Sequence, residues 1–354
     1  ANRAIVSDTR LNFRDFASAE ASPLASADVD ALTLAQLREA YAPDPQTRIA
    51  RAHLFGLNKQ RLQTLKDTIE AKKDPVDGMG SDLALPAFTD EPHSLGQFMR
   101  PDYSQVTNPS LDPIRNRGAF SLRTSLGRKP KMVQLARRYE ARAQFELEDP
   151  LLDDEQMLSL LARPKETRPR VITLSTVFEQ DGLLGFKNAL SRIKTDIREC
   201  AQQKKKVIVV LSDRDADRGE KKAYLPPHLV VSHVRKMLID EGLIEFVSLV
   251  VDTGEVWNQH EYAMLVACGA DAVHPRLIYE FMQAGQLGKT GLREGFNFTL
   301  LRYMSKLGIT DIEQYRGGRQ FSTLNLDTAF VKRYFGDIAT NGSGVGIERI
   351  LADQ

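Results

Sequence analysis

The stretch FVSLVVDTGEVWNQHEYAMLVACGADAVH, residues 246–274, decides the fold. Its first seven residues form a continuous apolar run that ends at an aspartate, which is typical of a strand buried on both faces. Residues 255–269 have the length and apolar content of a helix and end at a glycine. Residues 270–274 then predict a short strand. A strand, a helix and a strand in this order predict a right-handed βαβ unit with parallel strands.

The same alternation precedes this unit. VITLSTVF (171–178) and VIVVLS (207–212) predict strands, and residues 182–203 and 228–243 predict helices, the second of which ends at Gly242. Four strands are too few for a closed barrel of eight. The predicted fold class is therefore α/β, with an open parallel sheet (or partial barrel) of βα units. Further helices are predicted near 275–286, 291–306 and 327–334.

The chain before residue 169 has a different composition. Residues 1–27 are small and polar and predict a flexible arm, and residues 28–168 predict a helical and loop-rich N-terminal part. Residues 169–354 form the predicted α/β part. Within the N-terminal part, helical spacing predicts helices at 28–40, 57–71, 132–146 and 153–162.

Composition narrows the class of protein. The 354 residues include 48 Lys and Arg against 47 Asp and Glu, so a basic surface for nucleic acid is not expected. The longest apolar runs have strand length, and the first residues lack the apolar core of a signal peptide, so no membrane partner is expected. Cys200 and Cys268 form neither a disulfide framework nor a metal motif. A cytoplasmic protein without a bound metal is the resulting expectation.

Polar side chains follow three of the predicted strands. They are Ser212, Asp213, Arg214, Asp252, Glu255 and His274. Ligands bind at the carboxyl ends of parallel strands, so these residues are candidates for binding a small polar ligand or for acid–base chemistry. The alternative is a structural network that caps strand ends, in which Asp252, Thr253 and Glu255 are possible N-caps of the next helix.

A second candidate cluster comprises Lys306, Tyr315 and Arg316, followed by two glycines. The sequence YRGG predicts a tight turn that exposes Arg316, either as a docking surface for another domain or simply to solvent. The glycine-rich residues 341–346 follow no predicted strand and indicate a flexible loop. Trp257 is predicted to pack on a helix surface.

The loop QVTNPSLDPIR (105–115) has neither helical nor strand periodicity, and its two prolines stiffen it. Asn108, Asp112 and Arg115 are predicted to have structural roles, with Asp112 and Arg115 as a pair that joins the N-terminal part to the sheet. Leu111 and Ile114 are predicted as its apolar contacts with the core.

This loop and five further blocks, in the same order, resemble the central domain of the glutamate synthase large subunit. The blocks are DPVDGMGSDLALP (74–86), SLRTSLGR (121–128), VIVVLSDRDAD (207–217), VSLVVDTGEVWNQHEYAMLVACGADAVHP (247–275) and YMSKLGITDIEQYRGGRQF (303–321). The resemblance extends over roughly 50–351 and so covers most of the chain.

The resemblance implies a part within a larger enzyme. In that family a glutaminase domain with an N-terminal cysteine nucleophile precedes the central domain, and a barrel that binds FMN and an iron–sulfur cluster follows it. The enzyme makes two glutamates from glutamine, 2-oxoglutarate and reducing equivalents, and ammonia passes between the two sites. This chain begins at Ala1 and has only two distant cysteines. We therefore expect no catalytic, cofactor-binding or metal-binding residue of the family to have a counterpart in these residues.

Two functions follow from these observations. The first is a non-catalytic connecting domain or subunit whose partners are the glutaminase and FMN-binding synthase domains or subunits. FMN and the iron–sulfur cluster are then expected only in those partners. The alternative is an independent α/β enzyme or small-ligand sensor that uses the polar residues at the strand ends.

Overall fold

The computed structural model describes residues 22–23, 44–73, 85–89, 92–102, 111–127, 144–163, 169–202, 206–216, 222–288 and 290–352. The helices within these ranges are α1 (Pro45–Leu54), α2 (Lys59–Ala71), α3 (Asp154–Leu161), α4 (Gly182–Gln202), α5 (Pro227–Asp240), α6 (Gln259–Cys268), α7 (Arg276–Gln283), α8 (Leu292–Leu307), α9 (Ile312–Tyr315), α10 (Thr328–Tyr334) and α11 (Ile347–Ala352). The strands are β1 (Ser22–Pro23), β2 (Met99–Pro101), β3 (Thr124–Gly127), β4 (Gln144–Leu147), β5 (Arg170–Ser175), β6 (Val177–Glu179), β7 (Val207–Ser212), β8 (Lys222–Tyr224), β9 (Val247–Thr253), β10 (Ala272–Pro275), β11 (Phe321–Leu326) and β12 (Thr340–Val345). Short 3-10 helices form at Pro86–Phe88, Leu95–Phe98 and Arg117–Ala119.

The central sheet has four parallel strands that lie side by side in chain order, β5, β7, β9 and β10. Every residue of β7 and β9 is buried. Alternate residues of these strands face two cores, because one face packs on helices α4, α5 and α6 and the other on β3, β4 and α3. Both faces are covered, which explains the continuous apolar runs. The predicted α/β fold with an open parallel sheet is confirmed.

Three predicted boundaries are corrected. The strand predicted over 171–178 is two strands, since β6 leaves the central sheet and pairs antiparallel with β8. The helix predicted over 255–269 begins only at Gln259. Asn258 is its N-cap, and its side chain accepts from the N–H of Glu261. The end of the helix predicted over 132–146 is instead β4, which pairs with β3.

Other predicted helices agree with the structure or lie outside the described residues. The helix at 153–162 is α3, where Asp153 and Gln156 form a capping box. Gly242 ends the turn after α5 with a φ of +66°. The predicted helix at 28–40, most of 132–146 and nearly all of the arm at 1–27 lie outside the described ranges; of the arm only β1 is described, paired with β4.

The glycine-rich residues 341–346 are not a loop. They form most of β12, which lies parallel to β11, and β2 pairs antiparallel with the other side of β11. Trp257 is not on a helix surface either, because its side chain is buried and its indole N–H donates to the carbonyl of Phe55 at 3.0 Å. Within the described ranges, no helix has the length and apolarity needed to cross a membrane.

The loop at 105–115 is described only from residue 111 onward, so Asn108 lies outside the description. Asp112 accepts from the backbone N–H of Ile114 at 2.7 Å and of Arg115 at 3.1 Å. These bonds, with that from Arg115 first, lower the pKa of Asp112. Both Ile114 and Arg115 are exposed, so the predicted apolar contact of Ile114 with the core is wrong, and the predicted Asp112–Arg115 contact is made through the backbone N–H of Arg115. Ser305 on α8 holds the loop by donating to the carbonyl of Leu111.

Candidate functional site

The carboxyl ends of three neighbouring strands bring together Ser212, Asp252 and His274. The strand register places Asp252 opposite both of the other two residues. The Ser212 hydroxyl donates to Asp252 Oδ2 at 2.8 Å, and His274 Nδ1 lies 2.8 Å from Asp252 Oδ1. Arg214 adds two bonds to the same carboxylate, from Nε at 3.2 Å and from Nη2 at 3.3 Å. The predicted convergence of these four residues is present.

Asp252 is held as a buried carboxylate. Burial alone raises the pKa of Asp252, but the positive charge of Arg214 and the hydrogen bond and charge of His274 outweigh burial. The net result is a pKa well below the usual range for aspartate. The group is therefore ionised at neutral pH, where it accepts hydrogen bonds from its neighbours.

His274 lies between two carboxylates. Its Nε2 is 3.1 Å from Asp154 Oδ1, on the first residue of α3, and its ring stacks on Tyr279 with 5.4 Å between ring centroids. Burial lowers the pKa of His274, but the hydrogen bonds to Asp154 and Asp252 act in the opposite direction and the net shift is upward. Both ring nitrogens are thus engaged, and the imidazolium links the sheet edge to α3.

Asp213 has a different partner, Arg276, which is the first residue of α7. Arg276 Nη2 donates to Asp213 Oδ1 at 2.6 Å, and its Nη1 donates to Glu280 at 3.2 Å. The Thr253 hydroxyl donates to Asp213 Oδ2 at 2.5 Å, and the N–H of Gly254 adds a bond to Oδ1 at 3.1 Å. Burial raises the pKa of Asp213, and the charge of Arg276 opposes that rise.

Sequence reasoning missed Arg276 and Asp154 as members of this network, although Arg276 could have been found. Arg276 follows His274 by two residues, at the end of the fourth strand, where the strand-end rule already applied. A second buried cation, Arg51 on α1, reaches Glu280 at 2.8 Å and so ties α1 to α7. The strand-end residues thus form one chain of ion pairs that joins the sheet to α1, α3 and α7.

Glu255 does not take part in this chain of ion pairs. Its carboxyl group accepts from the Tyr224 hydroxyl and from the backbone of Leu95, and it lies beside His228. Glu255 belongs to a separate group of residues beside the N-terminal end of α6. Its place in the predicted strand-end cluster is corrected, because the chain turns away from the sheet between Gly254 and the start of α6.

The second predicted cluster is divided between core and surface. Arg316 is buried rather than exposed, and it pairs with Asp271 at 3.0 Å and with Glu313. Tyr315 is also buried, and its hydroxyl donates to the carbonyl of Ala263 at 3.2 Å. Only Lys306 on α8 is exposed. The side chains of Tyr315 and Arg316 therefore face the core, and the expectation of an exposed Arg316 was wrong.

Chemically, the two strand-end carboxylates are satisfied by groups of the protein itself. The carboxylates of Asp213 and Asp252 accept from arginine, histidine and hydroxyl groups that the protein itself supplies. Among the described residues, no group of three or more His, Cys, Asp or Glu is arranged to hold a metal ion. The geometry is that of a buried polar network which fixes the ends of the strands relative to the helices.

Comparisons with known proteins point to one family. The family described as glutamate synthase central domain matches residues 50–327. The large chain of glutamate synthase (NADPH) from Bacillus subtilis is 29% identical over 332 residues, covering 88% of this chain and 21% of its own length. The chloroplastic ferredoxin-dependent glutamate synthase of Oryza sativa is 28% identical, covering 88% of this chain and 20% of its own. This chain therefore spans about a fifth of the length of these relatives.

A solved structure of the recombinant flavin-binding domain of baker's yeast flavocytochrome b2 is 20% identical to this chain. The match covers 56% of this chain and 44% of that chain, with a TM-score of 0.32. A similarity at this level carries no argument about fold or function.

Proposed function

Because this chain belongs to the glutamate synthase central domain family, we propose that it works as a non-catalytic connecting domain or subunit of a glutamate synthase. It joins a glutaminase part to an FMN-dependent synthase part, so that ammonia released by the first reaches the second. The observation that carries this proposal is the family match over residues 50–327, in relatives about four times as long as this chain.

The polar network at the strand ends supports a connecting role. Asp213 and Asp252 accept hydrogen bonds from Arg276, Arg214 and His274, which are groups of the protein itself. A connecting domain needs rigid geometry more than reactive groups, because it must hold two other sites at a fixed separation. We therefore propose that FMN and the iron–sulfur cluster are bound by the partner parts. We also propose that the assembled enzyme is cytoplasmic, since both cysteines of this chain are free thiols.

The test is a reconstitution. The purified chain alone is expected to show neither glutaminase activity nor flavin absorbance. It is then mixed with a separately produced glutaminase domain and an FMN-binding synthase domain from a relative. We expect it to raise glutamine-dependent glutamate formation while ammonia-dependent formation by the synthase domain stays unchanged.

The control variant is Arg198→Met, whose exposed pair with Glu241 lies outside the network. It should couple the two activities as well as the unaltered chain. Glutamine turnover or a bound flavin in the chain alone would sink the proposal, and so would a reconstituted mixture whose glutamine-dependent rate does not depend on the chain.

The alternative, an enzyme or sensor built on the strand-end residues, predicts that Asp213 contributes to ligand binding. The geometry argues against it because Asp213 already accepts from Arg276, Thr253 and Gly254. A thermal-shift screen with amino acids, keto acids and nucleotides tests it. A ligand that raises the melting temperature of the chain but not of Asp213→Ala would favour this alternative.

A further inference from the structure

A cavity of about 560 Å³ lies beside the N-terminal end of α6 and is lined by residues outside the chain of ion pairs at the strand ends. It is bounded by the connection between α1 and α2, the 3-10 helix Leu95–Phe98, β8 and the start of α6. Its aromatic walls are Phe55, Tyr224 and Trp257. Its volume falls in the range of sites for small organic molecules, which combine apolar walls with a few fixed polar groups.

The polar end of this cavity is formed by Glu255, with His228 directly behind it. Glu255 is 3% exposed and His228 is fully buried. Glu255 Oε1 and His228 Nδ1 lie 3.9 Å apart, and neither atom has a hydrogen-bond partner among the protein groups that the structure describes. Buried polar groups are nearly always paired, so two such atoms beside a cavity point to a ligand.

His228 Nδ1 calls for a donor. Burial raises the pKa of Glu255, but a cation beside the group favours its ionised form, in which Oε1 also accepts. Burial lowers the pKa of His228 to about 4, so the ring is neutral. His228 Nε2 lies 3.1 Å from the carbonyl of Glu261, which can only accept, so Nε2 carries the proton and Nδ1 presents a lone pair. Glu255 Oε1 is a carboxyl oxygen. A single nitrogen with several N–H groups can reach both acceptors at this separation.

The charges around the cavity favour a cation. The carboxyl groups of Glu261 and Asp213 lie close enough to Glu255 that, after burial, they are the main causes of its raised pKa. The same negative field stabilises a positive charge placed beside Glu255. Arg61 is the one cationic side chain other than histidine among the cavity's lining residues, and it is held by the carbonyl of Gly56 at 2.6 Å.

A metal ion fits the cavity poorly. Both oxygens of Glu261 are used, by the Ser94 hydroxyl at 2.6 Å and by the N–H of Trp257 at 2.8 Å. Calcium and magnesium need about six oxygen ligands, and Glu255 offers one open carboxyl oxygen. Aromatic walls, in contrast, suit a carbon skeleton and also attract cations through their ring faces.

We propose that this cavity binds a small organic cation whose primary ammonium group donates to Glu255 Oε1 and His228 Nδ1. The carbon skeleton of the ligand packs between Phe55, Tyr224 and Trp257, of which the first two are in ring contact with 4.9 Å between their centroids. This binding is separate from the connecting role, and it requires neither a glutaminase nor a synthase partner.

The test is isothermal titration of the full chain with benzylammonium chloride. The matched control ligand is benzyltrimethylammonium chloride, which has the same charge and ring but no N–H donor. We expect one benzylammonium per chain and at least tenfold weaker binding of the trimethyl compound. Binding of both ligands with equal affinity, or no binding of benzylammonium, overturns the proposal.

The decisive variant is Glu255→Gln, which keeps the shape of a protonated glutamate and so should fold. It is expected to weaken benzylammonium binding at least tenfold, whereas Asp240→Asn, at an exposed carboxylate on α5, should leave it unchanged. Ala352→Trp is a second, independent variant, because Ala352 is an exposed lining residue where a large side chain narrows the cavity without touching the core. Unchanged affinity in both Glu255→Gln and Ala352→Trp overturns the site.

Discussion

Replacement of Arg276 by methionine removes the cation at the centre of the strand-end network. The side chain is buried and bonds two carboxylates, Asp213 at 2.6 Å and Glu280 at 3.2 Å. Methionine fills a similar volume without charge, so the change tests the ion pairs rather than the packing. The carboxylates stay buried, and their charges are no longer balanced by this guanidinium.

The expected cost follows from what remains at each carboxylate. Breaking a buried ion pair by removing one partner costs about 3–5 kcal/mol. Here Asp213 keeps its bonds from Thr253 and Gly254, and Glu280 keeps its pair with Arg51. We therefore expect Arg276→Met to lower the free energy of unfolding by about 3 kcal/mol, at the lower end of that range.

The assay is urea unfolding followed by far-UV circular dichroism. Arg198→Met is the matched control, because Arg198 pairs with Glu241 with side chains 35% and 32% exposed. Such a surface pair contributes about 0.5 kcal/mol. If the two variants lose the same stability, or if Arg276→Met is more stable than the unaltered chain, the network does not hold the sheet edge to α7 and the reasoning fails.

Three further predictions concern other parts of the fold. Burial lowers the pKa of His274, but its two carboxylate partners outweigh burial and the net shift is upward. The stabilising effect of the imidazolium is therefore complete below the unfolded-state pKa and is lost as pH rises through the folded-state pKa. The stability difference between the unaltered chain and His274→Gln in urea unfolding should shrink as pH rises above about 6.5, and a constant difference would contradict this. Arg316→Met should lower the free energy of unfolding by about 3 kcal/mol, and with it the melting temperature, because Arg316 is buried and ion-paired. Arg115→Met, at an exposed side chain, should leave the melting temperature unchanged. Equal melting temperatures of the two variants would contradict the burial of Arg316. At Gly269, φ is +122° and a Cβ would lie 2.0 Å from an arginine side chain. Gly269→Ala should therefore lower the free energy of unfolding, measured by chemical denaturation, by about 3 kcal/mol. The control Gly242→Ala, where a Cβ meets open space, should lower it by about 1 kcal/mol.

The central sheet was predictable because its signal is local. A strand buried on both faces needs an apolar residue at every position, and β7 and β9 show this directly in the sequence. Boundaries were less predictable. Asn258 caps α6, although Asp252 and Thr253 looked equally suitable, since a cap is chosen by the path of the backbone and not by residue type alone.

The candidate site was partly predictable for the same reason. The register of parallel strands brings strand-end residues together, which correctly grouped Ser212, Asp252 and His274. Arg316 was misplaced because its burial depends on Asp271, 45 positions earlier in the chain, and on the N–H of Gly317, which bonds the carbonyl of Val266. Such long-range pairing leaves no pattern in the local sequence.

The two edge strands of the central sheet, β10 and β5, differ in how their outer edges are paired. Beside β10 the chain covers the edge, because Pro150 and Leu152 exchange backbone hydrogen bonds with Val273 at 2.7 and 2.9 Å. Beside β5, no strand of the described ranges is paired with the outer edge, and its Val171, Ile172 and Leu174 are only partly buried. An edge that pairs with no strand of the described ranges and carries apolar side chains is a template for a strand from another chain. The isolated chain is therefore expected to associate through β5, and Thr173→Lys, at an exposed position, should prevent this association.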